Sequence, residues 1–219
     1  MNKHDTVSGL SVQAIGRMPY YLDYLKELYS AGTTTISAPS VAAHFGFSEI
    51  QVRKDFSAVS SIQGRPKHGF GIAELIDDME TILGYRNCKD AVLVGAGSLG
   101  TALLEYDGFG KYGIDIVAAF DSDKSKADRH IGNKQVFPAE RISELCLRMN
   151  IHIGIITVPA TAAQETCDRL VAGGVKAIWN FAPKHLSVPD GILVQNENMA
   201  ASLALLSKHL MDEYEENKA

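Results

Sequence analysis

The sequence has few cysteines and prolines, three and seven among 219 residues, and a single tryptophan. Cys88, Cys146 and Cys167 are odd in number and form no C-x-x-C pair, so no disulfide framework, metal site or catalytic thiol is expected. No apolar run approaches the length of a membrane span. Met1-Asn-Lys-His-Asp-Thr6 has no hydrophobic core of a signal peptide, so a cytoplasmic chain without a membrane partner is the expectation. Positive charge is not in excess either. The 21 Lys and Arg against 26 Asp and Glu give a formal net charge of −5, which excludes a wholly basic coat protein but permits a local basic face. The hydrophobic share of 46% suffices for a packed core, in one large domain or two small ones.

The chain turns on one stretch, Asp90-Ala-Val-Leu-Val-Gly-Ala-Gly-Ser-Leu-Gly-Thr101. Ala91–Val94 reads as a buried strand that runs into Gly95-Ala96-Gly97-Ser98-Leu99-Gly100, and Thr101–Glu105 reads as the start of a helix. In a dinucleotide-binding βαβ unit the first glycine permits the tight turn and the second lets backbone approach a pyrophosphate. The third lets helix pack on strand, and the helix N-terminus offers N–H groups to the phosphates. Three glycines alone are weak evidence. The support comes from Ile114–Asp121, a second buried strand with an acid at its carboxyl end, 121 − 100 = 21 residues beyond the last glycine. An acid there accepts from an adenosine ribose and repels a 2′-phosphate, which favours NAD(H) over NADP(H). Ile151–Val158 reads as a third buried strand with His152 inside it, and Thr157, Val158 and Pro159 at its end are expected to line the pocket. Val175–Phe181 and Ile192–Gln195 complete a parallel sheet of Rossmann type.

The region before it is helical. Ser11–Ser30 carries Ile15, Met18, Leu22, Leu25 and Leu28 at helical spacing, with Ser11 as cap and Pro19 inside the pattern as an alternative start. Ser37-Ala-Pro-Ser40 caps a short helix closed by Gly46. Ser48 with Gln51 forms a capping box for the next helix, where Ile50, Val52 and Phe56 are available for burial. The spacing predicts a helix-turn-helix. Its second helix presents Ser48, Gln51, Arg53, Lys54 and Ser57, residue types that meet base edges and phosphates in a major groove. The Gly-rich segment Ser60–Gly71, with Arg65 and Lys67 at its tip, suits a β-hairpin wing. From Ser48 to Gly71 four basic residues (Arg53, Lys54, Arg65, Lys67) face two acids (Glu49, Asp55), so the local balance is positive. An ordinary three-helix domain with a charged loop is the plain alternative. Glu74–Leu83 is a further helix ending at Gly84, and the polar stretch Tyr85–Asp90 is a domain boundary. Asn196–Glu216 reads as a long amphipathic helix with Leu203, Leu206, Leu210 and Tyr214 on one stripe. Its own domain and a partner subunit are equal candidates to cover it.

Gln51-Val-Arg-Lys-Asp55, Val94-Gly-Ala-Gly-Ser-Leu-Gly100, Tyr106-Asp-Gly-Phe-Gly110, Phe120-Asp-Ser-Asp123 and Asn180-Phe-Ala-Pro183 together resemble the Rex family of redox-sensing transcriptional repressors, from about Ser11 to about Tyr214. The resemblance implies an α/β protein. Residues 1–86 would be a winged helix-turn-helix, 87–195 a Rossmann doubly wound parallel sheet holding NAD(H), and 196–219 a swapped dimerisation helix. It implies a homodimer that represses from inverted-repeat operator DNA and is released by a raised NADH/NAD⁺ ratio, the nucleotide state setting the angle between the two Rossmann domains. It places Asp121 and Asp123 on the adenosine side and Asn180 and Phe181 near the nicotinamide, with Tyr106 as the tyrosine that shifts with occupancy. Many members carry an Arg in the glycine loop, an Asp opposite it on the swapped helix and an aromatic beside that Asp. This chain has Ser98, Asn198 and Met199, so a charged latch is replaced by neutral groups.

Two other classes compete. A small NAD-dependent oxidoreductase needs a general acid or base, for which only His152 and His185 are candidates, and about 130 residues after Asp90 leave no room for a substrate domain. A repressor responding to coenzyme A or another adenine nucleotide shares the fold. The expectation is therefore a non-enzymatic regulator with no catalytic residues and no metal.

Overall fold

In the computed structural model residues 6–7, 10–61, 69–85 and 89–216 are described. The chain divides into two units, 1–87 and 88–219.

The first unit is a helical core with short strands at its margins. Thr6–Val7 (β1) pairs antiparallel with Leu10–Ser11 (β2). The first helix, α1, spans Val12–Ser30, and Ser11 Oγ accepts from Ala14 N at 3.1 Å, satisfying one first-turn donor. It runs through Pro19 instead of starting there. Proline removes one N–H from the ladder, and the burial of Ala14, Met18, Tyr21, Leu22 and Leu25 along one face holds the helix together across it. After Thr35–Ile36 (β3) comes α2, Ala38–Phe45, which begins three residues before Val41 because Ser37 caps Ser40 N at 3.2 Å and proline occupies the first turn. Gly46, with φ of 68°, ends it. Then α3, Glu49–Val59, buries Val52, Asp55, Phe56 and Val59. Ile50, expected to be available for burial, is instead 68% exposed. The buried stripe at 52, 55, 56 and 59 leaves position 50 on the opposite side of the helix. Phe70–Gly71 (β4) pairs antiparallel with β3 and leads into α4, Ile72–Leu83, which ends at Gly84 in a left-handed cap. The expected wing tip, with Arg65 and Lys67, lies outside the described residues.

The second unit is built on a seven-stranded sheet. Its strands are β5 Lys89–Val94, β6 Ile114–Asp121, β7 His130–Ile131, β8 Lys134–Pro138, β9 Ile153–Ile156, β10 Ala177–Asn180 and β11 Leu193–Asn196. The spatial order is β11-β10-β9-β5-β6-β8-β7, parallel throughout except for the β7–β8 hairpin. Alternation along β5 feeds both faces. Val92 and Val94 join the core under α6 (Ile142–Arg148) and α7 (Ala160–Ala172). Ala91 and Leu93 join a smaller core with Leu104 of α5 (Ser98–Leu104). The chain leaves β5 toward β6 and later returns to its other side as β9, so the order reverses at the carboxyl ends of β5 and β9. Ligands bind at such a reversal.

One expectation changes here and two are sharpened. His152 precedes β9 and is exposed instead of lying inside a buried strand, which is shorter than the apolar run predicted. Cys146 and Cys167 are free and buried on α6 and α7, where desolvation pushes each thiol up to about 11, against any nucleophilic use. The final helix α8, Met199–Glu216, exposes Leu203, Leu205, Leu206, Leu210, Met211 and Tyr214, so its own domain does not cover it.

Candidate functional site

The glycine loop joins β5 to α5 and is held from two sides. Gly95 has φ of 106°, and a Cβ on it would come within 2.9 Å of the Thr157 backbone. A Cβ on Gly100 would meet the Gly95 carbonyl oxygen at 2.0 Å, so α5 closes on the turn only because neither residue has a side chain. A Cβ on Gly97 would meet no protein atom within 4 Å, and this glycine caps α5 without a side-chain bond to the first turn. The first-turn N–H groups, those of Ser98, Leu99 and Gly100, have no acceptor within the helix ladder and are available to an anion.

Asp121, 8% exposed at the end of β6, fixes the other wall. Its Oδ2 accepts from Ala96 N at 2.9 Å and from Lys126 Nζ at 3.3 Å, while Oδ1 accepts from Asp123 N at 2.8 Å. The carboxylate thus stitches the glycine loop to the β6 loop, and among the described residues Oδ1 keeps capacity for a second donor such as a ribose hydroxyl. Asp123 continues the stitch by accepting from Ser125 N at 2.8 Å, and these bonds to Ser125 hold its carboxyl below its usual range. Thr157 bridges the two central strands: its hydroxyl lies 3.0 Å from Val94 O and 2.8 Å from Gly95 O. Between these walls opens a cleft of about 630 Å³ lined by Gly95, Gly97, Asp121, Thr157, Val158 and Pro159. Its outer rim adds Lys126, Glu140, Glu165 and Arg169. The sequence reading passed over these four: Lys126 and Glu140 lie in the segments that follow β6 and β8, and Glu165 and Arg169 in the body of α7, where no local motif marks them.

Other predicted residues gather elsewhere. Tyr106, 57% exposed, sits edge-on to Phe109 with ring centroids 5.0 Å apart, and Gly108 beneath it has no room for a Cβ, which would lie 2.2 Å from the ring. Phe109 meets Trp179 at 5.8 Å, and Trp179 meets Phe181 at 4.5 Å, completing a row of four rings. Trp179 Nε1 donates to Glu197 Oε1 at 2.8 Å. Asn180 is fully buried. Its Nδ2 reaches Ala182 O, Lys184 O and Asn196 Oδ1 at 3.2, 2.9 and 2.8 Å, and its Oδ1 accepts from Ala182 N at 3.0 Å, so it holds the Phe181–Lys184 turn in shape. None of Tyr106, Asn180 and Phe181 lines the glycine-loop cleft. The Met199 side chain lies outside what is described. Asn198 caps α8, accepting from Ala201 N at 2.9 Å, which gives the neutral residue a local role.

In the first unit α3 presents Arg53, Lys54 and Ser57 to solvent on one face. Ser48 is its N-cap by backbone geometry but makes no side-chain cap bond, and the capping box is not formed. Gln51 is engaged by Arg17 instead: with its amide oriented to accept, its oxygen takes Arg17 Nη1 at 2.8 Å and Nε at 3.0 Å. The same guanidinium grips buried Asp55 through Nε at 2.8 Å and Nη2 at 2.9 Å, and the buried Tyr21 hydroxyl donates to Asp55 at 2.9 Å. The hydrogen bonds of Asp55 raise the Arg17 pKa and, after burial, push Tyr21 up to about 12. Arg53 is paired with Glu49 one turn earlier.

Comparison with known proteins divides the chain at the same place. A family described as "CoA binding domain" matches residues 87–184, and one described as "Putative DNA-binding protein N-terminus" matches residues 9–57. The chain is 40% identical over 190 residues to the redox-sensing transcriptional repressor Rex of Porphyromonas gingivalis, covering 87% of each. It is 40% identical over 193 residues to that of Carboxydothermus hydrogenoformans, covering 88% of this chain and 92% of the relative. Among solved structures it is similar to RSP in complex with beta-NAD⁺ and operator DNA, with a TM-score of 0.88, 33% identity and 97% of both chains covered. RSP in complex with beta-NADH matches with a TM-score of 0.83 and 33% identity, over 95% of this chain and 98% of that one.

Proposed function

The chain belongs to the Rex family of redox-sensing transcriptional repressors, and we propose that it is a homodimer that binds NAD(H) in its second unit, represses from inverted-repeat operator DNA through its first, and releases the DNA when NADH binds. The observation that carries this reading is the joining, in one chain, of a helix-turn-helix with an exposed polar recognition helix and a glycine-loop cleft closed by Asp121. The division of labour is DNA reading in 1–86, nucleotide binding in 87–195 and pairing of subunits through 196–219.

In the cleft, Gly95–Gly100 cradles the pyrophosphate with backbone N–H groups, and Asp121 takes the adenosine ribose. Its negative charge and its bond to Ala96 N disfavour a 2′-phosphate at that place. Thr157, Val158 and Pro159 form the floor. Asp123 supports Asp121, and Tyr106 and Phe181 form part of an aromatic wall that receives the nicotinamide end, with Asn180 setting the turn; Met199 is assigned to the same end by the resemblance alone. On the DNA side Gln51, Arg53, Lys54, Ser48 and Ser57 meet the major groove, and Arg65 and Lys67 the backbone beside it. The leucines of α8 pair with a second copy. A repressor that reads NADH and DNA works in the cytoplasm.

The chain is a regulator, as its relatives are named, and the two histidines considered for hydride chemistry fit that conclusion. His152 and His185 are both exposed, and neither lines the cleft. Fluorescence anisotropy on an operator titrated against the NADH/NAD⁺ ratio tests the reading. Affinity should fall as the ratio rises, and an unchanged affinity would sink the sensing claim. Calorimetry with NADH, NAD⁺ and coenzyme A side by side decides the ligand: heat with coenzyme A alone would replace NAD(H) in the proposal.

A further inference from the structure

The recognition helix carries its outward residues in three rows, and among the described residues only the middle row is both free of ties and apolar at its tip. On one flank the Gln51 oxygen is held by Arg17. On the other, Arg53 is held by Glu49. Between them Ile50, Lys54 and Ala58 stand one turn apart, and these three residues line two surface grooves beside α3. A residue shared by two adjacent grooves is the crest that separates them. Ile50 is the first residue of that crest, in the first turn of the helix, with 68% of its surface exposed.

Taken alone, an exposed isoleucine is unremarkable, since apolar atoms make up much of any protein surface. Its place on the crest gives it a consequence. When a helix enters the major groove its N-terminal turn meets base edges, and the crest goes deepest. A branched hydrocarbon there donates and accepts nothing, and it strips water from any polar base edge it covers. The one apolar group that the major-groove floor offers is the C5-methyl of thymine. The geometry points to Ile50 as a specificity-determining residue that reads a thymine methyl group in each operator half-site, beside the phosphate or base contact of Lys54. This rests on the proposal that α3 binds DNA.

Removing the methyl alone tests it. A duplex is first selected from random double-stranded DNA on the full-length protein. Each thymine of one half-site is then replaced in turn by deoxyuridine, and binding is measured by anisotropy for the native chain and for Ile50→Ala. Alanine favours helix and position 50 is exposed, so the variant keeps its fold. The native chain should lose roughly fourfold in affinity at one thymine, corresponding to about 0.8 kcal/mol per buried carbon. Ile50→Ala should bind the thymine and uracil duplexes equally at that position. Discrimination that persists undiminished in Ile50→Ala overturns the assignment, as does its absence from the native chain. If the native chain binds no duplex even at low salt, the DNA-reading proposal fails and this one with it. Binding without methyl discrimination removes this one only.

Discussion

Asp55 and Asp121 are both buried carboxylates that tie one element to another, yet the first is bonded only by side chains and the second mainly by backbone N–H groups at the end of a parallel strand. Asp55 takes two bonds from Arg17 and one from Tyr21, all within the first unit. Its neighbours are long-range in sequence, and it fixes α3 against α1. Asp121 takes backbone N–H groups from two loops and a loosely held Lys126, whose side chain is 41% exposed, and it lines the cleft together with Gly95 and Gly97. The lesson is that burial of an acid says little about its purpose. Each accepts three bonds, so their number does not separate them: side-chain partners inside one core mark Asp55 as a structural charge, and loop N–H partners at a sheet's carboxyl edge mark Asp121 as a place for a ligand.

The contrast can be broken by exchanging the consequences. Asp55→Ala leaves a guanidinium and a phenol without their acceptor, and should cost about 3 kcal/mol of stability in urea unfolding followed by circular dichroism. A loss below about 1 kcal/mol would mean that the network is not what anchors α3. The same network carries a pH signature. Tyr21 ionises near 10 when unfolded and near 12 when folded, so its neutral form stabilises the fold fully below pH 10, and that contribution is lost as pH rises from 10 to 12. The loss should reach about 2 kcal/mol, and the Tyr21→Phe chain should lack this part of the alkaline decline.

Asp121→Asn should behave in the opposite sense. The amide keeps an acceptor for Ala96 N and loses the one for Asp123 N, so stability falls by only about 1 kcal/mol, while NADH affinity falls about tenfold in calorimetry, equivalent to about 1.4 kcal/mol. A large fall in stability with unchanged affinity would make Asp121 a second Asp55. The smallest effect is expected from Lys126→Ala, whose partly exposed pair with Asp121 should contribute less than about 0.5 kcal/mol to stability.

What was legible in the sequence follows the same division. The glycine loop and Asp121 obey local rules, a turn that excludes Cβ atoms and an acid at a strand end, so reading the chain in order finds them. The helix-turn-helix was also local, because caps and left-handed glycines at 46 and 84 punctuate it. Arg17 was not found, since its meaning depends on an aspartate thirty-eight residues away. The signal was present all the same: a charge on the apolar face of α1 and an opposite charge on the apolar face of α3. Ile50 misled because Ile50, Val52 and Phe56 are equally apolar, and only packing decides which side of a short helix turns inward. The cap that Asn198 provides was passed over, because the resemblance directed attention to a second subunit and away from the N–H three residues on. Asn180 was placed near the nicotinamide by resemblance, and its bonds to its own turn and to Asn196 could not be read from the sequence.

The exposed stripe of α8 has a further consequence. With Leu203, Leu206 and Leu210 meeting solvent in the single chain, and a second copy proposed to cover them, the stability of the protein becomes a function of its own abundance. Dilution shifts chains toward a form that carries a sticky surface, and synthesis shifts them back. A cell that lowers production of this chain would thereby also shorten the lifetime of what remains, as proteases act on the unpaired form, so the repressor's level would respond more steeply than its rate of synthesis.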